Sequence, residues 1–258
     1  MKCRVCSGPT TPSHAGLVLK KYNVQYHLCA SCEYWCTDDA FWLDEAYSEA
    51  VSSMDTGVVS RNLAIHRSLA PALVTLFGTG PYVDWAGGAG LLVRLMRDTG
   101  LDFYWQDAYA ENVLAKGLEW ERRREGRDAL AVSAMEVLEH SPDPLGFIQE
   151  MLTGSGAETL IFSQELHHGP DPTWWYLAPE CGQHISFYST RTLEEIARQL
   201  GMRLESAENL HLLTRSDLPG GRFARALHPS RLARRRILGG LGSLTQTDAD
   251  RAASDLAL

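Results

Sequence analysis

The residues with the most chemistry to offer are gathered early in the chain. Cys3-Arg-Val-Cys6 and Cys29-Ala-Ser-Cys32 are two CxxC pairs separated by twenty-two residues. Each pair places two thiolates on one side of a tight turn, and two facing pairs make a tetrahedral set suited to zinc. Four thiolates fill the coordination shell, so a structural rather than catalytic Zn2+ held by Cys3, Cys6, Cys29 and Cys32 is expected. Redox-active pairs are the competing reading. Cys36 is expected to be a small buried side chain, Cys181 is too distant to assign, and His14 and His27 are candidates for substitute ligands whose plainer reading is hairpin surface.

A second group is Val83-Asp84-Trp85-Ala86-Gly87-Gly88-Ala89-Gly90. Glycines where a strand meets a helix let backbone approach a ligand closely. A dinucleotide fingerprint starting at Gly88 needs glycine at position 93, where the chain has Val93. Asp84 would repel a pyrophosphate and suits a cationic ligand such as S-adenosylmethionine, which carries an ammonium and a sulfonium. Asp107 follows twenty-three residues later, where a carboxylate accepts hydrogen bonds from both ribose hydroxyls. Ala108 or Tyr109 then lies near the adenine. The plainer reading of Asp107 is a loop cap.

Histidine is the natural proton acceptor at neutral pH. His184, in Gly182-Gln-His-Ile-Ser-Phe-Tyr-Ser189, is the first candidate for a general base. His140, closing Glu136-Val-Leu-Glu-His140, is the second. For each, a ring bonded to nearby backbone is the structural alternative. His167 and His168 read as surface residues. Trp174-Trp175-Tyr176 either stack on an acceptor or pack a lid against the core.

These groups need elements to hold them. Gly16 to Leu28 reads as a hairpin between the cysteine pairs. From Asp38 to about Phe77 the spacing of Leu63, Ile65, Leu69, Leu73 and Leu76 is helical. An α/β alternation follows: strands at Tyr82–Asp84, Asp102–Gln106, Ala129–Met135 and Glu158–Ser163, with a weak strand near Leu118. Helices fall at Leu91–Asp98, Glu111–Lys116, Pro144–Leu152 and Thr192–Leu200, before two strands at Arg203–Ala207 and Leu210–Thr214. Such alternation predicts an α/β Rossmann-like sheet, mostly parallel with an antiparallel edge. Beyond Asp217 lies an Arg- and Gly-rich tail with no clear place in the core. The expected division is 1–40 zinc-binding domain, 41–80 helical connector, 81–216 cofactor-binding domain and 217–258 tail.

Asp84-x-Ala86-x-Gly88-x-Gly90 resembles motif I of the class I S-adenosylmethionine-dependent methyltransferases, with Ala86 in place of the first glycine. Glu136-Val-Leu-Glu-His140 resembles the segment ending their fourth strand. The resemblance spans about residues 80–215. It implies S-adenosylmethionine as cofactor, held by Asp84, Ala86, Gly88, Gly90, Asp107, Ala108 and Glu136. The cysteine pairs before such a core, with Gln183-His184 followed by Phe187-Tyr188-Ser189, are similar to zinc-containing sugar C-methyltransferases of antibiotic pathways. Those carry a Glu-His element whose histidine is the proposed base. Here Gln183 replaces the glutamate, and their large C-terminal domain is missing.

Composition is that of an ordinary globular chain: 258 residues, 45% hydrophobic and 22% charged. The net charge of −8 disfavours a general nucleic-acid or anionic-membrane binder. No apolar run reaches the roughly 18–20 residues of a membrane span, and the N-terminus lacks a signal-peptide core, so a cytoplasmic protein is expected. The expected function is methyl transfer to a small-molecule acceptor, a sugar or natural-product intermediate. The alternatives are an O- or N-methyltransferase of a non-sugar metabolite, or a catalytically silent binding module that docks a partner.

Overall fold

The computed structural model describes residues 1–47, 56–123 and 126–255. The chain opens with β1 (Thr10–Val18) and β2 (Tyr22–Cys29), an antiparallel hairpin longer than expected, followed by β3 (Trp35–Thr37). The turn between β1 and β2 places Leu19 and Lys20 in the left-handed region.

The helical stretch expected from Asp38 to Phe77 resolves into α1 (Leu43–Ala46) and α2 (Val58–Phe77). Residues 48–55 lie outside the described residues. Ile65, Leu69 and Leu73 are buried along α2, as their spacing predicts, whereas Leu63 and Leu76 are only partly covered.

The α/β alternation then runs β4 (Tyr82–Trp85), α3 (Leu91–Asp98), β5 (Phe103–Gln106), α4 (Trp120–Arg123), β6 (Ala131–Ala134), α5 (Pro144–Ser155) and β7 (Thr159–Ser163). A two-residue β8 (Ser186–Phe187), α6 (Thr190–Leu200), β9 (Arg203–Ala207) and β10 (Leu210–Thr214) complete it. The large sheet has the order β5-β4-β6-β7-β10-β9, parallel from β5 to β7 and antiparallel at β10 and β9. This is the Rossmann-like α/β sheet with an antiparallel edge. Strand order reverses between β4 and β6, which opens a crevice at their carboxyl ends.

Two local expectations fail. Residues Glu111–Lys116 form turns, not a helix: the Asn112 side chain accepts from the Ala115 N–H at 3.0 Å and donates to the Ala115 carbonyl at 2.9 Å, and Gly117 takes a positive φ. Asx turns of this kind compete with helix formation. The weak strand near Leu118 is a single parallel bridge from Glu119 to Trp105.

The Arg-rich tail also folds: α7 (Arg222–Leu227), α8 (Arg231–Leu238) and α9 (Thr245–Asp255). Phe223, Ala226 and Leu227 join the core that contains α2. On α9, the largely buried Asp248 receives Arg97 Nη2 at 2.6 Å and Arg94 Nη2 at 2.9 Å. A few apolar residues among many arginines left too weak a periodic signal for this to be read.

The second sheet is antiparallel, in the order β1-β2-β3-β8. Its last strand comes from residues 186–187, so the cysteine segment and the chain after β7 share one sheet. The apolar core around Val83, Leu138 and Tyr188 includes Cys29, Cys32, Tyr34 and Cys36. No helix among the described residues is long and apolar enough to cross a membrane.

Candidate active site

The loop after β4 forms one wall of the crevice. Ala86, Gly88 and Gly90 all take positive φ, at 60°, 53° and 84°. For Ala86 this is a left-handed conformation that an L-residue holds at a cost of roughly 1–2 kcal/mol. Gly90 tolerates no side chain, because a Cβ there would stand 2.8 Å from the Ala115 Cβ. At Gly88 a Cβ would meet nothing within 4 Å, so its backbone faces open space.

Two carboxylates serve this loop differently. Asp107 braces it: Oδ2 accepts from the Gly88 N–H at 2.9 Å, and Oδ1 accepts from the Tyr109 and Ala110 N–H groups at 2.8 and 2.9 Å. The loop-cap reading of Asp107 is therefore realised, with acceptor capacity left on Oδ2. Ala108 is exposed beside it. Asp84 is buried beneath the loop, its Oδ1 accepting from Ser133 Oγ at 2.6 Å. Burial pushes the Asp84 carboxyl up to about 7 against that hydrogen bond, and the Asp107 charge adds to the rise. A buried carboxylate short of positive charge beside a bare backbone stretch fits a cationic cofactor.

The opposite wall is built at the carboxyl end of β6. Glu136, at φ 54°, is pinned through Ser163, whose Oγ accepts from the Glu136 N–H at 2.8 Å and donates to Oε1 at 2.6 Å. Burial, and then the Glu139 charge, hold the Glu136 carboxyl above its usual range. A 3-10 turn over Leu138–His140 turns Glu139 inward, where Oε1 accepts from the Tyr176 hydroxyl at 2.8 Å.

His140 and His184, forty-four positions apart, meet here with ring centroids 5.0 Å apart and planes at 74°. His140 Nδ1 donates to the Gln183 carbonyl at 3.0 Å, and His184 Nδ1 donates to the Tyr176 carbonyl at 2.6 Å. A carbonyl can only accept, so Nδ1 carries a proton on both rings, and in the neutral ring the lone pair is on Nε2. Burial, and then the neighbouring His140 charge, lower His184 to about 4, which keeps its ring neutral.

The N-terminal segment fixes this loop from outside. Trp42 Nε1 donates to the Gly182 carbonyl at 2.8 Å, and Gln183 Nε2 to the Ala46 carbonyl at 2.8 Å. The Thr37 N–H donates to the Ile185 carbonyl at 3.1 Å, and Ile185 itself donates to the Glu139 carbonyl at 2.9 Å. Gln183 is thus an anchor for His184. A residue not assigned from sequence flanks His140: Tyr47 packs edge-on against its ring at 6.1 Å and stacks on the exposed Tyr109, the residue expected near the adenine. Their numbers gave no signal, because only the fold brings 47, 109 and 140 together.

The four cysteine sulfurs converge as the spacing predicts, all within 4.8 Å of one another and none oxidised. Cys3 and Cys32 Sγ are 3.6 Å apart, and Cys6 and Cys29 Sγ 3.4 Å. A tetrahedron with bonds of about 2.3 Å needs edges of roughly 3.8 Å, so the cluster fits one zinc ion. The Val5 and Cys6 N–H groups both point at Cys3 Sγ at 3.4 Å, the turn that a metal-bound thiolate requires. Thr192 Oγ1 ties this site to α6 through the Cys32 carbonyl at 2.8 Å.

The remaining candidates are structural. Cys36 is fully buried, as expected. His27, expected at the surface, is nearly buried and 2.6 Å from Asp38 Oδ1, and His14 stacks on Tyr26. His167 is buried against the Glu33 carbonyl at 3.0 Å. Trp174 stacks on Trp35 and Tyr176 is buried, so only Trp175 of that trio is exposed. A cavity lined by Asp102, Tyr104, Arg123, Arg127 and Arg251 lies at the amino end of β5, away from the crevice.

No curated protein matches the sequence. Among solved structures, a calicheamicin-biosynthesis methyltransferase bound to S-adenosylhomocysteine is similar at 16% identity and TM-score 0.43, over 69% of this chain and 60% of that one. Magnesium protoporphyrin IX methyltransferase from Synechocystis PCC 6803 is similar at 14% identity and TM-score 0.45, over 67% of this chain and 93% of that one. An O-methyltransferase of neocarzinostatin biosynthesis, solved with S-adenosylhomocysteine and 1,4-dihydroxy-2-naphthoic acid, is similar at 16% identity and TM-score 0.41, over 67% and 60% of the two chains. The chain thus spans about 60% of the length of the two antibiotic-pathway enzymes. The family itself is given by sequence: a family model described as a methyltransferase domain matches residues 60–207, more than half of the chain, from α2 through β9 and across both walls of the crevice, and the protein belongs to that family.

Proposed function

We propose that the protein transfers the methyl group of S-adenosylmethionine to a small-molecule acceptor, a sugar or natural-product intermediate, in the crevice between β4 and β6. The observation that carries this reading is the meeting of two walls. The glycine loop over buried Asp84 stands on one side, and two imidazoles, each held to a backbone carbonyl through Nδ1, stand on the other. Asp84 supplies negative charge for a cationic cofactor, Gly88 offers bare backbone, and the remaining lone pair of Asp107 is available to a ribose hydroxyl. Ala86, Gly90, Ala108 and Glu136 shape the rest of that pocket. Bound there, the cofactor supplies a methyl group already activated as a sulfonium.

The chain's own task is then to align the acceptor and remove its proton. In this reading His184 takes the proton at Nε2, and His140 borders the same pocket. The four cysteines hold a structural Zn2+, which keeps the sheet behind His184 folded.

Incubation with S-adenosylmethionine and a panel of nucleotide-linked sugars and hydroxylated pathway intermediates tests the proposal. S-adenosylhomocysteine should appear together with a methylated product detected by mass. Tight NADH binding without any response to S-adenosylmethionine would overturn it. Cofactor binding without turnover on any acceptor would favour the silent binding module.

A further inference from the structure

Glu139 is fully buried, yet only one of its carboxylate oxygens is satisfied. Oε1 accepts from Tyr176, while Oε2 has no hydrogen-bond partner. Leaving a carboxyl oxygen dry and unpaired is costly, and buried polar groups are ordinarily hydrogen-bonded, paired or bound to metal. The surroundings add more negative charge: the Glu139 and Glu136 carboxylates repel each other, with Arg61 acting on Glu136 as an opposing cation.

The geometry around the Glu139 carboxylate is that of a ligand set. One ligand atom each from Glu139, His140 and His184 lies within 4.8 Å of the others, and His140 Nε2 is 3.9 Å from Glu139 Oε1. Both rings spend Nδ1–H on a backbone carbonyl. Metal-binding histidines are held in this way, with the tautomer fixed and Nε2 presented to the ion.

We propose that Glu139, His140 and His184 bind one divalent first-row metal ion, whose open positions take a hydroxyl oxygen of the acceptor. Two imidazoles and one carboxylate favour manganese, iron, cobalt, nickel or zinc over calcium. Three protein ligands leave room for substrate, unlike the closed four-cysteine site. The acceptor part of this inference rests on the methyl-transfer reading; the ion does not. A metal-bound hydroxyl releases its proton to water more readily. The oxygen lone pair then forms the bond to the methyl carbon as the carbon–sulfur bond breaks, its electron pair staying on sulfur in S-adenosylhomocysteine. With the ion bound, the His184 Nε2 lone pair lies on the metal and water takes the proton that the ring takes in the metal-free reaction, and the acceptor is a hydroxylated molecule methylated on oxygen.

Titration of the full-length protein with Mn2+, followed by the electron-spin signal of the free ion, reads the site directly. Mn2+ suits carboxylate and imidazole ligands, whereas the thiolates prefer softer ions. One equivalent should bind, and Glu139→Gln and His140→Gln should each weaken it by at least about tenfold. Pulsed spin resonance of the unmodified protein should show imidazole nitrogen coupled to the bound Mn2+, which guards against a variant that merely misfolds. Absence of binding, binding without nitrogen coupling, or equal affinity in folded variants would overturn the ion site. Full-rate S-adenosylhomocysteine formation in protein stripped of ions other than the cysteine-bound one would refute the ion's role and leave methyl transfer standing. Nitrogen-coupled Mn2+ with no acceptor methylated would uphold the ion site and count against methyl transfer.

Discussion

Among the described residues, metal-ligating side chains gather in two places, and the two are built on opposite plans. The cysteine cluster comes from two local pairs at the base of a hairpin and offers four like ligands, so its shell closes. The Glu139–His140–His184 cluster joins the end of β6 to a loop more than forty residues later, and it leaves positions open. One short strand connects them: β3 begins three residues after Cys32 and ends at Thr37, whose N–H holds the Ile185 carbonyl beside His184. The closed cluster therefore serves the open one, by fixing the sheet edge from which the acceptor loop hangs. Damage to the first should spread to the second, and damage to the second should stay local.

The largest effect expected is at the cysteines. Metal analysis of the unmodified protein should find ~1 zinc per chain, and Cys29→Ser or Cys32→Ser should abolish it. Zinc binding in small domains contributes on the order of 10 kcal/mol to their folding. Hydrogen exchange should accelerate across residues 1–47 and 182–187, and turnover should fall with it. Slow exchange in metal-free protein would break the dependence of one cluster on the other.

His184→Ala should do the reverse. Turnover should drop by about 10²–10⁴-fold, whether the ring takes a proton or holds an ion, while cofactor affinity by calorimetry stays within about twofold. Melting should fall by the loss of the Tyr176 carbonyl bond and the ring contacts with His140 and Tyr176, without unfolding the cysteine segment. A variant with normal turnover would make His184 a purely structural residue.

The same contrast explains what could be read from sequence. The cysteine pairs and the glycine loop lie within short stretches, where spacing alone fixes geometry, and both assemble as expected. Glu136 and His140 were legible because they sit at the end of an apolar strand. Glu139 was not, since its partner Tyr176 lies thirty-seven residues away. The pairing of Ser186 with Cys36 was equally hidden, because a two-residue strand has no periodicity. Tyr47 near His140 and Phe223 against the core around α2 are likewise products of the fold.

A smaller effect is expected on the cofactor side, at Asp84. Its carboxyl is raised from the usual value near 4 to about 7 by burial, so the native state keeps a proton that the unfolded chain has lost. Stability from this group is greatest below about pH 4, declines as pH rises to about 7 and then levels off. The full shift corresponds to an upper bound on the order of 4 kcal/mol. Asp84→Asn should flatten this decline, leaving the variant more stable than the parent at pH 8. It should also weaken S-adenosylmethionine binding by about tenfold or more, since loss of a buried countercharge costs at least ~1.4 kcal/mol. Denaturation midpoints at pH 5 and pH 8 check the first outcome, and calorimetry the second. Equal pH slopes in the two proteins would mean that Asp84 is ionised throughout.

The smallest effect should come from the rim. Trp174 is committed to Trp35 and Tyr176 to Glu139, which leaves Trp175, 73% exposed and edge-on to Tyr176 at 5.3 Å, as the one indole of the trio free to meet an acceptor. Stacking of this kind contributes about 0.5–1.5 kcal/mol, roughly a 2- to 12-fold change in affinity. Trp175→Ala should therefore raise KM for a ring-bearing acceptor within that range and leave kcat unchanged, because the reacting atoms are held deeper by the β6 wall. Melting should move by less than the equivalent of about 0.5 kcal/mol, as for other exposed substitutions. A fall in kcat of more than tenfold would show that Trp175 braces Tyr176, and through it both Glu139 and the His184 ring. The rim would then belong to the open cluster, and the line between acceptor contact and cluster support would have to be redrawn.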